Sequence, residues 1–240
     1  MTPLAIAFSM LTTLPFFKIK SIKQGNNGKA VGFYPLVGLV LGFIVYFAWI
    51  LLGDLLPQTH LKVLLFVFFI ILYGAIHLDG FADTVDGLFV YEKEKALEVM
   101  KDPNIGAMGA IFVFLFLIAK LSSFLALDDL FLFVLVPMLS RYGAVIAIKK
   151  YDYVRKDGIA TLAKNELPLK IFILSSLFVF IVGVLIDFEI FLVLFIFVII
   201  FTFILCEFFK RKYDGLSGDM YGFIIELNEL LLLNILIVAL

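Results

Sequence analysis

The sequence predicts an all-α, polytopic membrane helical bundle with about seven transmembrane helices and one further helix at the N-terminus. Composition is the first reason: 63% of the 240 residues are hydrophobic and the mean hydropathy is +1.13, more than a soluble core needs. The second is a series of continuous apolar runs, each of roughly 18–23 residues, which is the length that crosses a bilayer. Continuous runs also exclude a transmembrane β-barrel, whose strands alternate apolar and polar residues.

The first 17 residues predict a short helix, for which a full crossing of the membrane is the alternative to a re-entrant or interfacial position. Their apolar part is about 14 residues long and includes Thr12, Thr13 and Pro15, whereas a span needs about 20. We therefore expect a re-entrant or interfacial helix over residues 1–17. No basic segment precedes it and no small-residue cleavage signal follows, so we do not interpret it as a signal peptide.

Seven spans follow from the remaining apolar runs. In chain order they are 31–53, 61–78, 105–127, 130–148, 169–186, 190–209 and 221–240.

The loops between these spans alternate in charge. Every second loop carries at least three Lys or Arg residues, and the loops between those carry none. The basic loops are 18–30, 79–104, 149–168 and 210–220. This positive-inside pattern predicts that the basic loops are cytoplasmic and that the C-terminus lies outside. We expect one domain over residues 1–240, in the cell membrane, with its active face formed by these loops.

Composition excludes further classes of function. The formal net charge is −1 and no basic stretch is interleaved with aromatic residues outside the spans, so no nucleic-acid partner is expected. Cys206 is the one cysteine and lies in an apolar run. It therefore supports neither an internal disulfide nor a cysteine-cluster metal site.

An acidic motif stands directly after the second span. Asp79, Asp83 and Asp86 are four and three residues apart, and on a helix this spacing stacks three carboxylates on one face. Like charges so placed repel one another, and a divalent metal would hold them together. Mg²⁺ prefers oxygen ligands, often one or two carboxylates with substrate phosphates. The alternative is an ordinary acidic, solvated helix end.

Three neighbours of these aspartates add to the motif. His77 could be a general base, a metal ligand or a group that orients an aspartate; it could equally be a packed, hydrogen-bonded histidine at the membrane boundary. Gly80 and Gly87 leave room for a substrate or a neighbouring helix to approach.

A second motif covers residues 100–109. Asn104 is predicted to cap a helix that begins at 105. Gly106 and Gly109 would then leave the first-turn amides bare for a phosphate, and Lys101 adds a positive charge. The alternative is a plain loop-to-helix start with small residues for packing.

A third motif opens the last span. Asp219 and Glu226 are seven residues apart, two turns on one face, and Glu226 lies well inside the apolar run. An intramembrane glutamate should line a polar cavity or pair with a cation. Arg141 and Lys120 are candidate partners, and Glu229 could share the role. The alternative is a structural ion pair that fixes helix packing.

Taken together, the motifs resemble those of the cobalamin synthase family, whose members are also called adenosylcobinamide-GDP ribazoletransferases. The resemblance runs in order along nearly the whole chain. It is carried by GFYPLVGLVLG at 32–42, HLDGFADTVDG at 77–87, MKDPNIGAMG at 100–109, SRYGA at 140–144 and SGDMYGFIIEL at 217–227.

The resemblance implies an Mg²⁺-dependent phosphotransfer. A hydroxyl of alpha-ribazole, or of its 5′-phosphate, attacks the cobinamide-bound phosphorus of adenosylcobinamide-GDP, so that GMP leaves and adenosylcobalamin or its 5′-phosphate forms. Asp79, Asp83 and Asp86 match the family's acidic motif and would hold Mg²⁺ against the diphosphate. Lys101 and the helix start would steady the GMP side.

Other site residues follow from the same resemblance. His77 or a carboxylate such as Asp83 would accept the proton of the attacking hydroxyl. Substrate contacts are expected from Lys101, Asp102, Gly106, Arg141, Asp219 and Glu226, with Arg155 as a further phosphate contact.

Two rival functions share some of these features. A CDP-alcohol-type membrane phosphotransferase also groups aspartates at a helix end, but its pattern fails here because Asp83 follows Ala82 directly. An ion-coupled transporter would use buried acids such as Glu226, yet no internal repeat is visible. Apolar surfaces with small residues also permit a homodimer.

Overall fold

The structure is a computed structural model that describes residues 2–14, 25–154 and 166–239. Eleven α-helices are described in these ranges, with a 3₁₀ turn at Leu132–Val134 that leads into α8. They are α1 (Pro3–Leu11), α2 (Asn26–Val31), α3 (Tyr34–Leu52), α4 (Gln58–Leu72), α5 (Ile76–Leu88), α6 (Lys93–Val99), α7 (Ala107–Leu125), α8 (Leu135–Lys150), α9 (Leu169–Ile186), α10 (Phe188–Tyr213) and α11 (Gly218–Ala239).

The predicted class, a polytopic helical bundle, is confirmed. Within the described ranges, six helical stretches are long and apolar enough to cross a membrane, and the bent pair α4–α5 provides a seventh if it counts as one span.

The predicted span 61–78 is not one continuous helix. The helix ends at Leu72 and a new helix starts at Ile76, turned by 81°. Gly74 and Ala75 adopt left-handed backbone angles, with φ of 68° and 53°, and such angles end a right-handed helix. We call this break the elbow. It sends α5, with the acidic motif, away from the axis of α4.

The N-terminal helix α1 is short, as predicted. Its nine residues extend for about 14 Å, less than half of a bilayer core. The chain that follows it is tied to the elbow, because Thr13 donates its backbone N–H to the Leu72 carbonyl at 2.8 Å and its hydroxyl to the Ile71 carbonyl at 2.9 Å. Residues 15–17 of the predicted segment lie outside the described residues.

α8 is the central helix of the bundle, with 94% of its span buried. α3 packs closely on it because Gly38 has no side chain: a Cβ there would lie 2.0 Å from the Pro137 carbonyl oxygen. In contrast, α9 and α10 are only 17% and 22% buried, and their exposed apolar side chains form a surface suited to lipid.

α5 packs on α11 at two glycines. A Cβ on Gly80 would lie 2.8 Å from the Asp219 carbonyl oxygen, and one on Gly222 would lie 3.1 Å from the His77 carbonyl oxygen. The room predicted at Gly80 is therefore used by a neighbouring helix. This close packing brings the acidic motif next to the C-terminal motif.

Candidate functional site

Five of the predicted site residues line one cavity, which we call the acidic pocket. Its volume is about 440 Å³, and it lies between α5, the loop after α6 and the start of α11. The predicted residues in its wall are Asp79, Asp83, Lys101, Asp102 and Asp219. Four carboxylates therefore face one ammonium group, and this excess of negative charge favours a bound cation.

Asp102 is held in its ionised form by its own loop. The backbone N–H of Asn104 donates to its carboxylate at 2.9 Å and the Asn104 side-chain amide does so at 2.7 Å. These two hydrogen bonds lower the pKa of Asp102, because they favour the charged form.

The third aspartate of the acidic motif has a different role. Asp86 accepts the backbone N–H groups of Gly106 and Gly109, each at 2.8 Å. It thus caps α7 from a neighbouring helix and places a negative charge at the positive end of the helix dipole.

Two predictions about the second motif are corrected by this contact. Asn104 is not the N-cap of α7; Gly106 occupies that position, and Asn104 bonds to Asp102 instead. The amides of Gly106 and Gly109 are not bare for phosphate either, because the Asp86 carboxylate already takes both. The physical reason is the same in each case: the Asp86 carboxylate of α5 occupies the hydrogen-bonding positions at the start of α7 that a local side chain or a ligand would otherwise use.

The predicted ligand set Asp79, Asp83 and Asp86 does not come together as one cluster. Among the residues that the structure describes, no group of three or more His, Cys, Asp and Glu side chains is close enough to hold a metal ion by itself. Asp79 and Asp83 remain in the wall of the acidic pocket. Mg²⁺ commonly binds through one or two carboxylates and takes its other ligands from substrate phosphates and water, which is the arrangement this pair can offer.

A second cavity of about 380 Å³ adjoins the acidic pocket, and we call it the apolar cavity. Asp79 and Asp219 line both spaces, so they mark the junction. The other walls come from α1, α3, α5, α8 and α11, and include Leu11, Tyr34, Ile76, His77, Ala144, Ile148, Tyr221 and Ile225.

His77 belongs to the apolar cavity and does not line the acidic pocket. Its ring is buried and stacks on Tyr73, with ring centres 5.5 Å apart and planes 19° apart. Its Nε2 atom has no hydrogen-bond partner in the described part of the chain.

Glu226 and Arg141 lie in a buried ion-pair network formed with Lys120 and Glu229. Lys120 Nζ lies 2.5 Å from Glu226 Oε2 and 2.5 Å from Glu229 Oε2, and Arg141 pairs with Glu229. All four side chains are fully buried. Two cations face two anions, so the network is balanced.

The predicted pairing of Glu226 with a cation is confirmed, with Lys120 as the partner. The expectation that Arg141 and Glu226 contact substrate stays a prediction; neither residue lines the acidic pocket, and both are engaged in the network. Their geometry favours the alternative, a structural network that fixes α7, α8 and α11. Arg155 lies outside the described residues.

Sequence reasoning missed the tyrosines. Tyr73 packs against the network, with Lys120 Nζ 5.7 Å from its ring centre, while Tyr34 and Tyr221 line the apolar cavity. The sequence feature that could have identified them is a tyrosine inside a run of aliphatic and Phe residues, because its hydroxyl then has to lie in the interior.

Comparisons with known proteins identify relatives along the full length. The family model described as cobalamin-5-phosphate synthase (CobS) matches residues 3–237. A protein of Desulforamulus reducens is 33% identical over 235 residues, which cover 94% of this chain and 92% of the relative. One of Acinetobacter baumannii is 31% identical over 246 residues, covering 100% and 98%. Both relatives are named adenosylcobinamide-GDP ribazoletransferase. No solved structure matches the chain significantly.

Proposed function

The chain belongs to the cobalamin-5-phosphate synthase family, and we propose that it catalyses the transfer named in its relatives. It joins adenosylcobinamide-GDP to alpha-ribazole, or to the 5′-phosphate of alpha-ribazole, and releases GMP. The family match favours this transfer over the two alternatives, a CDP-alcohol-type phosphotransferase and an ion-coupled transporter.

The acidic pocket is the observation that carries this proposal. It combines carboxylates from two helices, including Asp79, Asp83 and Asp219, with the ammonium group of Lys101. A diphosphate ester needs both kinds of group: a cation held by carboxylates to neutralise its charge, and a positive side chain for the departing phosphate.

The proposed reaction is a displacement at phosphorus. A ribose hydroxyl of the acceptor attacks the cobinamide-linked phosphorus, a new P–O bond forms, and the bond from that phosphorus to the bridging oxygen of GMP breaks. Asp79 and Asp83 hold the divalent cation, and Lys101 pairs with the phosphate of the departing GMP. When bound, Mg²⁺ neutralises charge that develops on the diphosphate oxygens.

Asp219 is the residue best placed to receive the proton. Asp219 and Asp79 are the two residues that line both cavities. The attacking hydroxyl has to approach the phosphorus at this junction. With Asp79 assigned to the cation, Asp219 accepts the hydroxyl proton as a general base. His77, on the apolar side, is the other candidate for this role.

The orientation of the protein is also part of the proposal. We propose that the acidic pocket faces the cytoplasm from the cell membrane, where the nucleotide substrate and GMP are soluble; the charge of the basic loops supports this orientation. This agrees with a pocket built from the loop after α6 and the start of α11, two segments on the predicted cytoplasmic side.

Turnover in a defined bilayer tests the proposal. Purified protein in lipid nanodiscs with Mg²⁺ should convert adenosylcobinamide-GDP and alpha-ribazole into a cobalamin and GMP in equal amounts, and EDTA should stop the reaction. Asp83→Asn should lower turnover at least about 100-fold. Asp54→Asn, the same change on an exposed residue of an outer loop, is the control and should leave turnover unchanged. Absence of turnover by the unmodified protein would refute the function.

A further inference from the structure

We propose that the apolar cavity binds the base of the acceptor nucleoside, a flat heteroaromatic ring of the benzimidazole type. This inference rests on the proposed function and assigns a substrate to a cavity that the acidic pocket does not explain.

The size and the walls of the cavity fit such a ring. Its volume of about 380 Å³ lies at the lower end of the range for small-ligand pockets, roughly 300–1,000 Å³. A corrin ring with its amide side chains is too large for it. Ile148 and Ile225 supply aliphatic surface and Tyr34 and Tyr221 supply aromatic surface, against which a flat ring can pack or stack.

Two polar atoms in the walls favour a heteroaromatic ring over a hydrocarbon chain. Tyr221 and His77 are each more than nine-tenths buried. The Tyr221 hydroxyl and His77 Nε2 have no hydrogen-bond partner among the described residues. Buried polar groups without partners are destabilising, and a lipid tail would leave both of them without a partner. A ring nitrogen with a free lone pair accepts a hydrogen bond from the Tyr221 hydroxyl and so supplies one.

The junction between the cavities supplies the geometric link to the reaction. Asp79 and Asp219 line both spaces. A nucleoside with its base in the apolar cavity therefore places its ribose at these two residues, and its hydroxyl faces the acidic pocket where the diphosphate binds. The base then acts as the anchor that aligns the attacking oxygen.

Guanine, the other base in the reaction, fits this cavity less well. Its edge carries several donors and acceptors that need partners, whereas the walls are mostly aliphatic and aromatic. The GMP phosphate also belongs near Lys101, which lines the acidic pocket and not the apolar cavity.

Binding measurements in nanodiscs test the assignment. The probes are alpha-ribazole, followed by its fluorescence, and GMP, followed by equilibrium dialysis. Tyr221→Phe should weaken alpha-ribazole binding about three- to tenfold, as loss of one hydrogen bond predicts, and should leave GMP binding unchanged. Tyr46→Phe is the matched control: it lies on α3, twelve positions and about 18 Å beyond Tyr34, and should change neither.

A second variant tests the shape of the cavity. Ile148→Ala should enlarge it, so that a ribonucleoside with a three-ring naphthimidazole base gains affinity relative to alpha-ribazole. A general packing defect would weaken both nucleosides alike and would not reverse the preference.

The outcomes separate this inference from the proposed function. If the unmodified protein releases GMP when both substrates are present but neither variant alters nucleoside binding, the function stands and the assignment of the cavity is wrong. If Tyr221→Phe weakens GMP and spares alpha-ribazole, the cavity holds guanine and the assignment is again wrong. If the unmodified protein gives no turnover, both fail together.

Discussion

Asp86 on α5 accepts the backbone N–H of Gly106 at 2.8 Å, twenty residues further along the chain. This bond makes one carboxylate of the acidic motif a structural cap and leaves Asp79 and Asp83 to face the acidic pocket. Three aspartates that look alike in the sequence thus separate into two roles.

Replacement of Asp86 should reveal the capping role. Asp86→Ala removes both accepted hydrogen bonds and should destabilise the protein by about 0.5–2 kcal/mol. Asp86→Asn keeps one acceptor oxygen but places an –NH₂ donor against the other backbone N–H, so it should retain only part of the stability. Thermal unfolding in detergent measures both, and the Mg²⁺ concentration for half-maximal turnover should be the same in Asp86→Asn as in the unmodified protein. A large rise in that concentration would show that Asp86 binds the metal.

Asp79 should set the affinity for the metal. Asp79→Asn removes one of the two anionic ligands that we assign to Mg²⁺, so the Mg²⁺ concentration for half-maximal turnover should rise about tenfold or more. A Mg²⁺ titration of turnover measures this. Asp128→Asn, on the predicted outer side, is the control; equal shifts in the two variants would contradict the assignment.

Lys101 should act on the donor substrate. Because it is exposed, its pairing with phosphate is partly screened, and Lys101→Met should raise KM for adenosylcobinamide-GDP about tenfold. The KM for alpha-ribazole should stay the same. Lys95→Met, at an exposed position of α6 in the same loop, provides the comparison, and an identical effect there would mean that only the general charge of the loop matters.

The stability of the protein should depend on the charge balance within the buried ion-pair network. Lys120→Met leaves Glu226 and Glu229 facing Arg141 alone, and loss of one partner from a buried pair costs about 3–5 kcal/mol. Adding Glu226→Gln should recover much of this loss, because the remaining Arg141–Glu229 pair is neutral. Unfolding of the single and double variants measures the coupling, and additive losses would argue against a shared network.

The contact between α5 and α11 should tolerate no added methyl group. Gly80→Ala places a Cβ 2.8 Å from the Asp219 backbone, so the two helices must separate, and both thermal stability and turnover should fall. Gly218→Ala meets only the Tyr153 hydroxyl, at 3.6 Å, and its thermal stability should stay close to that of the unmodified protein. Equal stability of the two variants would show that the contact is loose.

Much of the fold follows from the sequence because the bilayer imposes it. Apolar length predicts the spans, and the charge of Glu226 predicts a buried cation as its partner. The elbow is different, since residues 70–78 are nearly as apolar as a continuous span and only two left-handed residues, Gly74 and Ala75, end the helix. Hydropathy contains no information about such angles.

The part of the site that depends on local sequence spacing was also predictable. The helical spacing of Asp79 and Asp83 and the presence of Lys101 nearby indicate the acidic pocket. The cap at Asp86 and the apolar cavity depend on how α5 approaches α7, α8 and α11. Those approaches come from tertiary packing, so no local pattern contains them.

The elbow also determines how deep the chemistry lies. α4 has 15 residues and extends for about 22 Å, whereas the hydrocarbon layer is about 30 Å thick. In the proposed orientation, α4 would therefore end inside the hydrocarbon layer, and α5, turned by 81°, would begin there and carry Asp79 and Asp83 sideways to the acidic pocket.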